Sequence, residues 1–393
     1  MSPEKMVDVN VQIKGTQTEQ EEKRERQQRS LAKTSTQTDY FLNESFAKDF
    51  FEQNLLLNFI QDPKSDFRIL NCEINPLKIR RNKSVIEFKL YLNNKRNHYH
   101  QQQPLSKSIV AKWRDDRRGK EIFDLLQEVW HKRFSVEGQD EYDAKDHHLK
   151  IYEPIGYFDD YNFMLTSKAN GLQLKNILTE GEEQEGHVRI LELYVKQAAM
   201  WLSKLHSISS SNLTHANIFS IQQEEEKLKG WSEHLSIHRD FGKQLQSMLT
   251  CILKIERSLS PKCFVLIHNG FHPGNIFVDG PDLTVIDFDH SCIFDPAVDL
   301  GYFIAKLLHI KREYNLSLDV ESVERCFLDK YAAELMSSEA LKRVDLYKAR
   351  SYLRHLHSKY CQQLHSKSNH NKPDPVDFEY WVKKAEECLK RWM

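Results

Sequence analysis

Glycine is scarce in this chain of 393 residues: only 13 are present, about half of the usual ~7%. Such a composition argues against folds that need glycine in many tight turns, such as β-propellers. The seven cysteines are scattered and never form a Cys-x-x-Cys pair, which excludes the usual zinc-binding spacings. An odd number of unclustered cysteines is typical of reduced, buried thiols.

Neither charge of one sign nor long hydrophobic runs are present in excess. Lys and Arg number 56 and Asp and Glu number 57, so the formal net charge is −1 and no general attraction to nucleic-acid phosphates is expected. No apolar run approaches the ~20 residues of a membrane helix. The polar N-terminus contains no signal-peptide core. We therefore expect a cytoplasmic protein that binds neither nucleic acid nor a membrane.

Residues 1–45 are predicted to form a disordered, polar tail, because they contain no aromatic residue before Tyr40. Two Thr-Gln-Thr triplets lie in this segment, at 16–18 and 36–38. They resemble the short motif that dynein light chains bind as an added β-strand. Coincidence in a segment rich in Thr and Gln is the alternative that we favour, because short motifs often match by chance.

The hydrophobic pattern then predicts a β-rich region followed by a mainly helical one. We expect a helix at Phe46–Ile60, strands at Val85–Leu92 and Ser108–Trp113, a helix at Lys120–Phe134, and strands near 150–157 and 162–166. Beyond about residue 187 the pattern is helical, with one β-rich interruption at 263–288. This order predicts an α+β protein of two lobes, residues 46–166 with a leading helix and residues 167–393.

The β-rich interruption contains the residues that carry chemistry. Asn275 follows a loop between two short apolar strands, and Asp287 follows the next strand, twelve residues later. A hairpin of that length places the two side chains next to each other at its open end. An amide oxygen beside a carboxylate is a hard-oxygen site suited to Mg²⁺, with phosphates and water as further ligands.

The segment 264–300 resembles the catalytic segment of the aminoglycoside phosphotransferase/choline kinase family, whose pattern is H-G-D-x-x-x-x-N, then I-D-F/W-D/E, then D-P-x-x-D-L. The residues at matching positions are His268, Asn275, Asp287, Asp289, Asp295, Pro296, Asp299 and Leu300. The resemblance implies a two-lobed protein-kinase-like fold, with a small antiparallel sheet lobe that carries one helix and binds nucleotide. It also implies ATP (or GTP) and Mg²⁺ as cofactors, with Asn275 and Asp287 as metal ligands.

The resemblance extends upstream to Ile109-Val110-Ala111-Lys112, where it implies that Lys112 binds nucleotide phosphates. Two acidic residues on the following helix, Glu121 and Glu128, are candidate partners for this lysine. We favour Glu121, because Asp124 and Glu128 fit the solvated face of that helix better. In the catalytic segment, His268 is expected to pack behind the loop and Asp299 to accept backbone N–H groups from it.

One departure from the pattern bears directly on activity. Gly270 stands where the family has its catalytic aspartate, and glycine can neither accept a proton nor orient an acceptor hydroxyl. General-base catalysis is typically worth ~10²–10⁴ in rate, so its loss need not abolish phosphoryl transfer, which depends chiefly on positioning and electrostatics. Asp289 or His272 could substitute, although neither lies at the matching position.

Three functions are compatible with these residues. The first is an active phosphotransferase that transfers the γ-phosphoryl group of ATP to a hydroxyl or amine of a small molecule. The second is a nucleotide-binding pseudokinase, and the third is a scaffold that acts through its N-terminal tail. The acceptor carries no transferable signature, and the acidic run Glu224–Glu226 is expected to be a solvated face.

Overall fold

The computed structural model describes residues 41–54, 67–94, 105–116, 118–134, 147–180, 187–235, 241–335, 339–365 and 375–393. Both Thr-Gln-Thr triplets, and the predicted tail up to residue 40, lie outside these residues, as does the part of the predicted helix beyond Asn54. The chain divides into two compact units. The described residues up to 123 and from 153 to 168 form the first unit, and the other described residues form the second.

The first unit is built on a five-stranded antiparallel sheet in the order β1-β2-β3-β6-β5. Its strands are β1 (Phe67–Arg80), β2 (Lys83–Asn94), β3 (Leu105–Arg114), β5 (Pro154–Phe158) and β6 (Phe163–Ser167). Helix α1 (Glu44–Asn54) precedes the sheet, and helix α2 (Arg118–Val129), which continues as a π-helical turn at Trp130–Phe134, follows β3. The structure thus adds β1 to the strands predicted from the sequence.

The core of the first unit follows from alternation along β2. Ile86, Phe88, Leu90 and Leu92 are buried on one face of this strand, as expected for a half-buried strand with a period of two residues. Helix α1 covers the sheet with Ala47, Phe50 and Phe51. Aromatic contacts between Phe51 and Phe88, with ring centroids 4.9 Å apart, belong to this layer.

The second unit is mainly helical. Its helices are α3 (Leu174–Glu180), α4 (His187–His206), α5 (Ile221–Leu235), α6 (Gly242–Ser258), α7 (Ala297–Tyr314), α8 (Val320–Leu335), α9 (Val344–His365) and α10 (Pro375–Leu389). Its strands are β4 (Leu149–Ile151), β7 (Leu172–Gln173), β8 (Val265–Ile267), β9 (Ile276–Asp279), β10 (Asp282–Val285) and β11 (Cys292–Phe294). They form a four-stranded sheet in the order β4-β10-β9-β7 and a two-stranded sheet of β11 and β8.

The division between the units differs in one respect from the boundary predicted at residue 166/167. Residues 124–134 and 147–152 belong to the second unit, although the sequence pattern places them in the β-rich lobe. The reason lies in contacts distant in sequence: β4 pairs in parallel with β10, and the Trp201 indole N–H donates to the Lys150 carbonyl oxygen at 2.9 Å. The α+β class, with an antiparallel sheet and a mainly helical part, is confirmed. No helix among the described residues combines the length and hydrophobicity needed to cross a membrane.

Candidate active site

One buried carboxylate binds the backbone of the loop between β8 and β9. Asp299, in the first turn of α7, is fully buried and accepts the backbone N–H groups of His268 and Asn269, at 2.7 and 2.8 Å. The His206 Nε2 atom lies 3.2 Å from Asp299 Oδ2. Asn269 has a positive φ of 54°, which turns the chain sharply at this point. The predicted structural role of Asp299 is therefore confirmed.

His268 connects this loop to the segment that follows β10. Its ring is fully buried, and Nε2 lies 3.0 Å from the Ile286 carbonyl oxygen, to which it donates. Burial lowers the pKa of His268, so the imidazole is neutral at neutral pH. The ring packs 4.8 Å from the Phe288 ring, measured between centroids. A neutral, enclosed imidazole of this kind is suited to positioning the loop rather than to proton transfer.

Gly270 leaves the expected base position without a side chain. Its carbonyl oxygen accepts a hydrogen bond from Asn275 Nδ2 at 3.0 Å. A Cβ atom placed on Gly270 would lie 3.4 Å from His268 Nδ1 and 3.9 Å from Asn275 Nδ2, both ordinary van der Waals distances. The backbone therefore has room for a Cβ atom here.

Asn275 and Asp287 lie at the same end of the β9–β10 hairpin. Ile276 pairs with Val285, and the Ile286 N–H donates to the Asn275 carbonyl oxygen at 3.0 Å. Because Asn275 Nδ2 is engaged by Gly270, the amide is fixed with its oxygen on the opposite side. Asp287 has a positive φ of 73°, an uncommon conformation for a residue other than glycine. An oriented amide oxygen next to a carboxylate fits a hard divalent cation such as Mg²⁺.

The two residues that could replace the missing base differ in their surroundings. His272 Nδ1 accepts a hydrogen bond from the Gly274 N–H at 3.0 Å, so the proton of the neutral ring is on Nε2 and neither nitrogen is free to accept another. Burial, with a contribution from Lys306, lowers the pKa of His272 to about 3. Asp289 is 8% exposed and lies two residues after Asp287. The chemistry of His272 thus makes it a poor base, and Asp289 remains the candidate of the two.

The predicted phosphate-binding residues lie in the first unit. Lys112 is half-buried in the middle of β3, on the face opposite Ile109, Ala111 and Trp113. Glu121 lies in the first turn of α2, exposed to solvent and without an ion pair to any described residue. Its pairing with Lys112 stays a prediction.

Two acidic residues expected on solvated faces are instead bound within the second unit. Glu128 accepts the backbone N–H of Thr214 at 3.1 Å, on the loop that follows α4. Glu224 is 3% exposed: its carboxylate accepts from Arg350 Nε at 2.8 Å and from Lys227 Nζ at 3.0 Å. The expectation of a solvated Glu224–Glu226 run was therefore wrong for Glu224. Its partner Arg350 is 126 residues away, so no local pattern could have indicated the pair.

Comparisons with known proteins agree with the fold and with the motif. Residues 145–319 match the family model described as the phosphotransferase enzyme family. No curated protein sequence matches the chain. Among solved structures, the chain is similar to spectinomycin phosphotransferase in complex with ADP and spectinomycin, with 12% identity over 88% of this chain and 99% of that chain and a TM-score of 0.54.

Two further solved structures have lower TM-scores. An ethanolamine kinase from Plasmodium vivax shares 13% identity over 82% of this chain and 83% of that chain, with a TM-score of 0.48. A choline/ethanolamine kinase family protein from Mesorhizobium loti shares 12% identity over 90% of this chain and 95% of that chain, with a TM-score of 0.49. The family match and the spectinomycin phosphotransferase fold together confirm the predicted resemblance and the two-lobed kinase-like fold class.

Proposed function

We propose that this protein binds a nucleoside triphosphate with Mg²⁺ and transfers the γ-phosphoryl group to a hydroxyl or amine of a small molecule. The observation that carries the proposal is the placement of Asn275 beside Asp287, on a hairpin whose preceding loop is fixed by buried Asp299. The match of residues 145–319 to the phosphotransferase enzyme family supports the reaction class. ADP bound to the structurally similar spectinomycin phosphotransferase supports a nucleotide ligand.

Each residue has a defined part in this proposal. Asn275 and Asp287 hold the metal ion, which when bound neutralises charge on the nucleotide phosphates. Lys112 contacts the phosphates of the nucleotide, and Glu121 is the proposed partner of that lysine. In the transfer, the bond from the γ-phosphorus to its bridging oxygen breaks, and a bond from the acceptor oxygen or nitrogen to that phosphorus forms. The acceptor proton passes to water or to a phosphoryl oxygen.

Gly270 favours a second candidate function, a pseudokinase that binds the nucleotide with little or no turnover. Without a base at this position, the expected loss in rate is ~10²–10⁴. Because phosphoryl transfer has a loose transition state, positioning and electrostatics can still support turnover at a reduced rate. The two candidates share one nucleotide site and differ only in product formation.

The decisive experiment is calorimetric titration of ATP and GTP, with and without Mg²⁺, on the wild-type chain and on Asp287→Ala. We expect binding that requires Mg²⁺ and is lost in Asp287→Ala. The matched control is Asp329→Ala, which removes an exposed aspartate of α8 and should bind like wild type. ADP release measured on the same samples then separates the phosphotransferase from the pseudokinase. Absence of nucleotide binding at millimolar concentration would refute both.

A further inference from the structure

A pocket in the second unit opens beside the loop that contains Gly270. The residues that line it are Lys227, Trp231, Asn269, Val298, Tyr302, Tyr347, Arg350, Ser351 and Arg354. Asn269 immediately precedes Gly270 in the chain, so this pocket borders the loop that carries Gly270. The pocket itself has a volume of about 20 Å³, which accommodates one small polar group. Tyr302, Ser351 and Arg354 also line an adjoining groove of about 1,040 Å³, which has room for a metabolite. This groove is lined by more cations than carboxylates: its carboxylates are Glu313 and Asp377, and Asp377 is paired with Arg312 and Lys359.

The charged side chains that line the pocket are all cationic, namely Lys227, Arg350 and Arg354. Glu224 binds both Arg350 and Lys227, so its single negative charge is shared between two cations. The buried Glu256 Oε1 also lies 3.7 Å from Arg350 Nη1, so three cations stand against two carboxylates. A carboxylate engaged in this way is not available as a counter-ion for a positively charged acceptor. The pocket therefore keeps a net positive charge.

A fourth cation, Lys306, lies with Arg354 against the Tyr302 ring. Lys306 Nζ lies 5.5 Å and the Arg354 guanidinium carbon 5.3 Å from the centre of the Tyr302 ring. The His272 ring centroid is 5.8 Å from the same ring. Within the described part of the chain, neither Lys306 nor Arg354 makes an ion pair. Burial and the neighbouring Arg354 lower the pKa of Lys306, and the opposing effect of Glu313 is smaller.

The pocket also contains a polar group that has no partner among the described residues. The Tyr347 hydroxyl is buried and makes no hydrogen bond within this part of the structure. Buried hydroxyl groups are normally hydrogen-bonded, and leaving one unpaired is costly. The unpaired hydroxyl belongs to the wall of the pocket and is enclosed by protein.

We infer that the acceptor of this protein is an anionic small molecule, a hydroxyl compound that carries a carboxylate or phosphate group bound by Arg354, Lys227 and Arg350. This inference rests on the proposed phosphotransferase function, since it assigns the substrate class of that site. Cationic acceptors are disfavoured, because a pocket of like charge repels them. Arg354 is the most suitable residue to substitute, because it is exposed and its replacement leaves the buried Glu224 ion pairs intact.

The test is calorimetric titration of glycerol 3-phosphate, glycerate, inorganic phosphate, glycerol and choline into the wild-type chain in the presence of Mg·ADP. With the nucleotide site filled, the remaining anion binding reports on the pocket. We expect the anions to bind and glycerol and choline not to bind. Because a hydrogen bond to a charged group contributes ~1.5–3 kcal/mol, Arg354→Gln should weaken anion binding about tenfold or more, and Arg354→Lys should restore part of it. Arg325→Gln, on the exposed face of α8, is the matched control and should bind like wild type.

The results separate this inference from the proposed function. Anion binding that is unchanged in Arg354→Gln, binding of choline in preference to the anions, or no anion binding at millimolar concentration would each overturn the inference while leaving nucleotide binding untouched. If instead the anions bind in an Arg354-dependent manner but no nucleotide binds, the pocket is an anion site and the phosphotransferase role is refuted. Preference between glycerate and the two phosphates shows which anionic group the pocket selects.

Discussion

Replacing Gly270 by aspartate should increase the rate of phosphoryl transfer, because it returns a proton acceptor to the expected position of the base. The structure accommodates the change: a Cβ at residue 270 lies 3.4 Å from His268 Nδ1 and 3.9 Å from Asn275 Nδ2. Its backbone does not lie in the left-handed region, so the substitution introduces no strain there. We therefore expect Gly270→Asp to fold and to bind nucleotide like wild type.

The expected gain in kcat is ~10²–10⁴, the usual contribution of a positioned general base, which corresponds to ~3–5 kcal/mol in activation free energy. The assay is ADP release in the presence of each acceptor compound, with thermal unfolding measured on the same samples. Gly270→Asn is the matched control, because asparagine has the same size and can hydrogen-bond but cannot accept the proton. A folded, nucleotide-binding Gly270→Asp that turns over no faster than Gly270→Asn would refute the reasoning.

Three further predictions concern stability. Gly301→Ala should lower the free energy of unfolding, measured by urea denaturation, by ~1–3 kcal/mol. The reason is that the new Cβ would lie 2.8 Å from the backbone nitrogen of Lys348, where α7 packs against α9. Gly230→Ala, in α5 with no atom within 4 Å of the new Cβ, should instead raise it by ~0.5–1 kcal/mol in the same measurement, and a loss would contradict the stated geometry. Burial raises the pKa of Glu256 to about 7, so the folded chain keeps a proton that the unfolded chain releases above ~4.3. The free energy of unfolding should therefore fall as pH rises between these two values, by an amount on the order of 3 kcal/mol. Unfolding at several pH values should show this fall for wild type relative to Glu256→Gln, and parallel curves would exclude it.

Patterns in the sequence predicted those parts of the fold that are determined by residues close together in the sequence. The strand at Val85–Leu92 was found because its side chains alternate without interruption. The Asn275–Asp287 juxtaposition followed from hairpin spacing alone. Strand β1 was not predicted, although it is 14 residues long and 12 of them pair with β2. Its register shifts between Ile69 and Asn71 and again between Pro76 and Lys78, and each shift reverses the phase of alternation and hides the period of two residues.

The candidate site divides in the same way. The catalytic segment is continuous in sequence, so its motif could be recognised, whereas the cationic pocket joins α5, α7 and α9 with the catalytic loop. Tyr302 and Arg354 are 52 residues apart in the sequence, and Lys227 is distant from both in the sequence. Only the tertiary structure therefore brings these side chains into one pocket. The positive charge of the pocket, and with it the class of acceptor, could not be predicted from any single segment of the sequence.

The missing base and the cationic pocket form one coherent arrangement. An aspartate at position 270 would place a negative charge next to the pocket, where at ~6 Å and an effective dielectric constant of about 20 it would repel an acceptor anion by ~3 kcal/mol. Glycine avoids this repulsion, while Arg354, Lys227 and Arg350 bind the anionic group of the acceptor. The Gly270→Asp variant should therefore show a raised KM for glycerol 3-phosphate together with a raised kcat. If KM rises equally for glycerol, repulsion of the anionic group is not the cause, and the link between Gly270 and the charge of the acceptor fails.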